Sequence, residues 1–326
     1  MSERVLVLGG STWDVLFTTA QAELIRESKT RQPMLAFPYG GKVDAEGVAY
    51  GFGGGAANVA VGLSRLGVLA SIVTRVGNDW RGQEVARNLR ASGVGASLIQ
   101  TDNQETTPLA FIVTTGGAHD HVAFVSRGSA TKLELPTTVP ASYGWVYLTS
   151  LAVPTWRRSL SVLLPSLARR KQKLFWNPGA AQLIEGKKLK PLLKFVTVLN
   201  VNHEEAAVLA RDLKLKWRTT AELLHSLKAM GPAAVLITDA ARGAYYYDGE
   251  QIIHRPALPV RLANTTGAGD AFGAGFLASY LKQSNVPQAM DWGMYNSSSV
   301  IMHVGAQRGL LTSTEMRTFE KRYGRG

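Results

Sequence analysis

Asn264-Thr-Thr-Gly-Ala-Gly-Asp-Ala-Phe272 is followed by an unbroken run of small, aliphatic and aromatic residues from Gly273 to Leu281. The pattern predicts a helix over 267–283 with a glycine turn at its mouth. Gly267, Ala268 and Gly269 would expose consecutive backbone N–H groups at a helix N-terminus. Peptide dipoles favour negative charge there, so the turn reads as an anion site. Asp270, in the first turn, would repel that anion. Its presence makes chemical sense if it accepts the proton of a hydroxyl that attacks bound phosphorus. The structural alternative is a glycine turn with an Asp resting on the helix dipole.

Working outward, strands are predicted at Trp145–Leu148, Lys173–Trp176, Val196–Leu199 and Ala234–Thr238, with helices over 155–170, 202–211 and 219–230. This alternation argues for a mostly parallel sheet covered by helices on both faces. Ala244–Tyr247 and Ile252–His254 flank Gly249 as a hairpin, and helices over 287–302 and 313–322 finish the pattern. Nearer the beginning, Val5–Gly9 and Leu69–Thr74 read as strands. A helix covers 54–66, and Asp79 caps another that carries Val85 and Leu89. Residues 14–52 read as irregular. Residues 97–125 read as β-rich, with a hairpin at Gly116-Gly117 between Leu109–Thr115 and His121–Val125. The expectation is one α/β domain over 1–326, with a small β lid built from parts of 14–52 and 97–125.

Other segments offer chemistry. Gly53-Gly54-Gly55-Ala-Ala-Asn58 permits close approach of a ligand to the backbone, and Asn58 carries both a donor and an acceptor for a pair of sugar hydroxyls. A turn followed by a solvent-facing Asn is the alternative. Asp14 follows the first strand, where ligands collect at the carboxyl ends of parallel strands; Trp13 beside it reads as packing. Asn202-His-Glu-Glu205 has the spacing of a capping box, and Glu205 could also lie near Mg²⁺ or its waters. Thr238 to Gly243 follows a buried strand and could cradle nucleotide phosphates or simply turn the chain. His119-Asp-His121 lacks a third metal ligand. There is no G-x-x-x-x-G-K-[ST] P-loop. Gly51-Phe-Gly53-Gly-Gly-Ala56 approximates the dinucleotide fingerprint but lies far from the first strand, which argues against an oxidoreductase of that fold.

Composition narrows the setting. The chain has 326 residues and no cysteine, which excludes disulfides and thiolate metal sites and suits a reducing, cytoplasmic environment. The apolar run Val5–Leu8 is too short for a signal peptide or a membrane helix. The net charge of +12 arises from scattered basic runs such as Arg169-Arg170-Lys171 and Lys187-Lys188. Without a nucleic-acid motif, these read as a solvated surface that attracts anionic substrates, with no nucleic-acid or membrane partner.

Together these segments resemble the ribokinase family of sugar and nucleoside kinases, the PfkB-type carbohydrate kinases. The match runs over nearly the whole chain in the expected order. Gly53 to Ala60 with Leu63, Leu66 and Gly67 is similar to the family's first signature, and Arg75-Val-Gly77-Asn-Asp79-Trp-Arg-Gly82 to its second segment. Trp176-Asn177-Pro178-Gly179, Asn202–Glu205 and Thr238–Gly243 resemble its intermediate motifs, and Asn264–Asp270 its final signature. The resemblance implies a ribokinase-like α/β fold and transfer of the γ-phosphate of ATP to a hydroxymethyl group of a sugar, or alternatively of a nucleoside. Asp270 would be the general base and Gly267–Gly269 the anion hole. Asp14, Gly54, Gly55 and Asn58 would hold the acceptor. Asn202, Thr238, Ala240, Gly243 and Asn296 would contact the nucleotide, and Glu205 would meet Mg²⁺ through water. A homodimer through the lid is implied as well. A catalytically silent sugar or nucleotide sensor is the reading from another class, and an intact Asp270 argues against it. The chain departs from the family in three places: Asn264 where an Asp usually opens the signature, Ala240 where Gly is usual, and a shortened connection between Asn296 and Gly305-Ala306. Activation by K⁺ is therefore not expected to be strong.

Overall fold

Alternating apolar residues decide how the chain layers. In β1 (Arg4–Leu8), Val5 and Val7 enter one core and Leu6 and Leu8 the other, all fully buried. A strand covered on both faces requires this pattern. The computed structural model describes residues 3–27, 33–115 and 121–324. The next strands are β2 (Thr12–Thr19), β3 (Glu23–Arg26), β4 (Pro33–Ala36), β5 (Gly47–Gly53), β6 (Leu69–Gly77) and β7 (Ile99–Asp102). They are followed by β8 (Leu109–Thr115), β9 (His121–Ser126), β10 (Tyr143–Leu148), β11 (Lys173–Trp176) and β12 (Val198–Asn202). β13 (Ala234–Thr238), β14 (Ala244–Tyr247) and β15 (Ile252–Arg255) come last. The helices are α1 (Gly55–Arg65), α2 (Trp80–Ala91), α3 (Trp156–Arg169), α4 (Ala180–Leu183) and α5 (Gly186–Leu193). The later ones are α6 (His203–Asp212), α7 (Thr220–Lys228), α8 (Ala268–Gln283), α9 (Val286–Ile301) and α10 (Ser313–Tyr323).

The large sheet has nine strands in the order β15-β14-β13-β12-β11-β10-β1-β6-β7. From β13 to β7 all neighbours are parallel, and β14 and β15 turn back antiparallel at one edge. One face shares a core of Tyr147, Phe175 and Phe276 with α1, α8 and α9. The other packs Leu148, Trp176 and Ile237 against α3, α5, α6 and α7. This is the mostly parallel, doubly covered sheet that the strand–helix alternation predicts.

A second, four-stranded sheet has the order β5-β2-β8-β9, and β3 and β4 form a two-stranded sheet. Residues 14–52, expected to be irregular, thus hold β3, β4, β5 and most of β2. Their strand character is masked because β3 is exposed throughout and the glycines of β5 read as turn residues between Val48, Tyr50 and Phe52. β7 joins the edge of the large sheet instead of the small one. The tip of the hairpin, with Gly116-Gly117 and His119, lies outside the described residues. α4 and α5 are absent from the sequence expectation, because Gly179, Gly186 and Pro191 read as breakers there.

α8 is buried on every side from Ala271 to Ser279, which explains its small and apolar sequence. Gly273 meets the ring of Tyr147, and a Cβ there would lie 1.9 Å from the Tyr147 hydroxyl oxygen. Gly273→Ala is expected to destabilise the fold by about 1–3 kcal/mol, the usual cost of overpacking. Adding Tyr147→Phe, which removes the obstructing oxygen, should recover part of the loss. Urea unfolding of the three chains measures this, and a Gly273→Ala midpoint equal to that of the parent would show that the contact yields freely.

Candidate active site

The mouth of α8 is built by Gly267. Its φ of 81° is left-handed, and a Cβ would sit 2.7 Å from Ala306 Cβ, so backbone and packing both demand glycine. The first i→i−4 bond of the helix runs from Ala271 N–H to Gly267 O at 2.9 Å. Gly269 and Asp270 precede it, as the first turn of a helix leaves its N–H groups free for a ligand. A Cβ on Gly269 would meet open space, so this residue faces the cleft.

Asp270 is held from α1. Asn58 Nδ2 donates to Asp270 Oδ2 at 2.8 Å, and Asn58 Oδ1 accepts from Gln307 Nε2 at 3.2 Å. Asn88 Nδ2 in turn donates to Gln307 Oε1 at 2.9 Å. Burial pushes the pKa of Asp270 up to about 7; the bond from Asn58 opposes that rise and the charge of Glu205 adds to it. The residue's surface is only partly closed, so the shift comes from a concave site still open on one side. Gly55 borders the same carboxylate: a Cβ there would come within 3.3 Å of Asp270 Oδ1.

The two expected hydroxyl readers are both largely buried at the border of the site. Asn58 is 3% exposed and has both ends of its amide bonded, Nδ2 to Asp270 and Oδ1 from Gln307. Asp14 lies buried in β2, accepts from Thr12 Oγ1 at 2.6 Å, and packs under Gly53. Burial raises its pKa to about 6, against the bond from Thr12. Gly10, Ser11, Thr12, Gly54 and Gly55 line the adjoining cavity of about 140 Å³. Trp13 packs edge-on against Phe52 and Trp80.

On the other side of Asp270 a polar cavity of about 210 Å³ is lined by Asn177, Asn202, Glu205, Thr238 and the Gly267–Gly269 turn. Asn202 and Glu205 form the capping box of α6: Glu205 N–H donates to Asn202 Oδ1 at 2.8 Å and Asn202 N–H to Glu205 Oε2 at 2.9 Å. Burial raises the pKa of Glu205. Cap and cavity wall are thus the same residues.

A third cavity, about 560 Å³ and largely apolar, continues past Thr238 and Gly269 between the 238–243 turn, the 257–262 segment and α9. Ala240 and Gly243 line it. Ala240 holds a left-handed φ of 42°, unusual for a residue with a side chain. At Gly243, with φ 90°, a Cβ would strike Arg255 O at 1.9 Å. Asn296 does not line this cavity, contrary to expectation. It is fully buried, donates to Ala271 O at 2.7 Å and accepts from Leu311 N–H at 2.9 Å, so it ties α9 to α8. Of His119-Asp-His121 only His121 is described, and among the described residues no group of three or more acidic, His or Cys side chains gathers. Sequence reasoning passes over Asn88 and Gln307 as site residues, as well as Leu258, Val260 and Ser298. Gln307 follows the Gly305-Ala306 pair, which is the one signal that points to it.

The model of the pfkB family carbohydrate kinases matches residues 22–313, and the chain belongs to that family. It is 27% identical over 278 residues to a nucleoside kinase of Methanothermobacter thermautotrophicus, covering 83% of this chain and 85% of that one. It is 26% identical over 266 residues to a ribokinase of Bacillus subtilis, covering 81% and 86%. The fold is similar to that of an Arabidopsis thaliana ribokinase complexed with ribose and ATP, with a TM-score of 0.79, 19% identity, and 98% and 99% of the two chains covered.

Asn58 lowers the Asp270 pKa that burial raises, so Asn58→Ala is expected to move the acid limb of the kcat/KM–pH profile upward from near 7 and to reduce turnover at neutral pH. An unmoved limb in the variant would remove Asn58 from the positioning role.

Proposed function

We propose that this chain moves the γ-phosphoryl group of ATP to a hydroxymethyl group of a sugar, with Asp270 as the general base. The carrying observation is the Asp270 carboxylate at the mouth of α8, bonded to Asn58, between a polar cavity and the Gly54-Gly55 corner. With a pKa of about 7 it can take a proton at neutral pH and return it. In this reading the base and ribose of ATP lie in the 560 Å³ cavity beside Thr238, Ala240 and Gly243, and its phosphates point to Gly267–Gly269. The acceptor enters past Gly54 and Gly55. A nucleoside acceptor is the second reading, favoured by the similarity to the Methanothermobacter nucleoside kinase.

The oxygen donors of Glu205, Asn202, Asn177 and Asp270 line one cavity. Such a set fits Mg²⁺, which keeps most of its waters and uses one or two carboxylates with the substrate's phosphates. When bound, the ion would neutralise charge on the phosphate oxygens, and Glu205 would hold it through water. The residues do not fit a strong K⁺ site at Asn264. This side chain is buried, its Oδ1 is taken by Thr266 N–H at 2.8 Å, and its Nδ2 is a buried donor without a partner among the described residues. A cation there would face an N–H dipole instead of a carboxylate. The small sheet would close over the acceptor and keep water from the phosphate. Its exposed Val48, Tyr50 and Phe124, with Leu24 and Met34 of the β3–β4 pair, suit a second copy of the chain. Among the described residues no helix is long and apolar enough to cross a membrane.

Asp270→Asn is expected to lower kcat by at least ~10²–10⁴, the worth of a positioned base. Because the folded-state pKa of Asp270 is raised above its usual 3.8, its contribution to stability is lost as pH rises through about 7. The variant removes that loss, so its melting temperature at pH 8 should equal or exceed the parent's. A coupled ADP-release assay with pentoses, hexoses and nucleosides, paired with thermal melts, checks both, and turnover above about a tenth of the parent's excludes the base role.

Initial rates at constant ionic strength, with KCl balanced by tetramethylammonium chloride, should differ by about two-fold or less, since the missing carboxylate forgoes about 1 kcal/mol of attraction even in water-like surroundings. A rise of about ten-fold, equal to ~1.4 kcal/mol, would show a cation site that survives without it.

A further inference from the structure

Transfer to a plain hydroxymethyl group leaves one feature of the acceptor cavity unused, a cation in its wall. Arg127 directly follows β9 and lines the same cavity as Gly54 and Gly55. Its backbone is tightly placed. Gly128 has φ 41°, a Cβ there would lie 2.2 Å from Thr106 O, and Ser129 N–H donates to that same carbonyl at 2.9 Å. Arg127 is exposed as well as lining the cavity, and among the described residues it has no carboxylate partner. Among the described residues no carboxylate lines this cavity, and Ser11 Oγ, at its margin, is buried without a hydrogen-bond partner among them. Pro108, Val125, Ala130 and Leu133 supply apolar walls beside it.

We infer that the acceptor carries an anionic group, a phosphate or a carboxylate, away from the hydroxyl presented to Asp270, and that Arg127 binds it. A guanidinium presents N–H groups in a planar fork that matches two oxygens of either anion. A neutral sugar or nucleoside leaves that fork to water and gains nothing from the charge. Ser11 Oγ would serve a nearby hydroxyl. The inference rests on the acceptor lying in this cavity, as the kinase reading places it.

The test pairs each anion with its neutral counterpart: fructose 6-phosphate with fructose, and gluconate with glucose, with inosine as a further neutral acceptor. Turnover is measured by ADP release, and binding by calorimetry without ATP. The parent chain should favour at least one anionic member by about ten-fold or more, and the phosphate and carboxylate arms show which anion it is. Arg127→Met should lower the anionic-to-neutral ratio by about 10- to 100-fold, the worth of a charge-assisted hydrogen bond. Arg127→Lys should retain part of the preference, which separates loss of charge from loss of fold. A parent that binds the neutral members equally or better, binds none of them, or keeps its ratio in Arg127→Met overturns the inference. Anion binding through Arg127 without phosphoryl transfer would instead sink the kinase reading and leave this one standing.

Discussion

A carboxylate that must be both buried and ready to ionise needs a partner that is polar but uncharged. Asn58 is that partner: its amide holds Asp270 at 2.8 Å without supplying a positive charge. A Lys or Arg at this position would favour the ionised form and pull the pKa down by a unit or more. Burial and the Asn58 bond therefore act in opposition and leave Asp270 near neutrality. The bond exists because α1 and α8 approach closely. Gly62 and Ala274 meet at a point where a Cβ on Gly62 would lie 2.9 Å from Ala274 Cβ. Larger residues at this crossing would separate the helices and with them the two side chains.

Around that bond the cleft changes character along its length. The far cavity is largely apolar, the central one is lined by amides, a carboxylate and a helix mouth, and the near one carries glycines, hydroxyls and Arg127. Each change falls at the end of a strand of the large sheet: Thr238 ends β13, Asn202 ends β12, and Gly10 follows β1 closely. Parallel strands end together on one edge, so a single sheet can set unlike chemistry side by side.

Much of this was legible in the residues. The glycine turn before α8 announced the helix, because Gly267 is needed for a left-handed φ and for contact with Ala306. Asp79 accepts from Gly82 N–H at 2.8 Å as the cap its position suggests. Asn202 and Glu205 carry both bonds of their box. The misses share a cause. β2 pairs with β8 across a long stretch of chain, and β3 is exposed throughout, so nothing local marks either segment. The role of Asn58 depends on Gln307 and Asp270, and Asn296 is spent on backbone atoms of Ala271 and Leu311. Such pairings are properties of packing, and no spacing within one segment encodes them.

The place of β1 in the large sheet bears on how the protein is made. β1 lies between β6 and β10, with Leu8 opposite Val73 on one side and Leu148 on the other. A ribosome delivers the β6 partner early, but β10 only after the whole small sheet has been synthesised. During that interval one edge of an apolar strand stands open beside a growing chain, and any stray strand can pair with it. The intervening segment then has to fold aside as a unit for β10 to reach its slot. Order of synthesis and order of strands thus disagree at the centre of the molecule, and the β1–β10 pairing is a long-range closure of the kind that topology makes costly in folding.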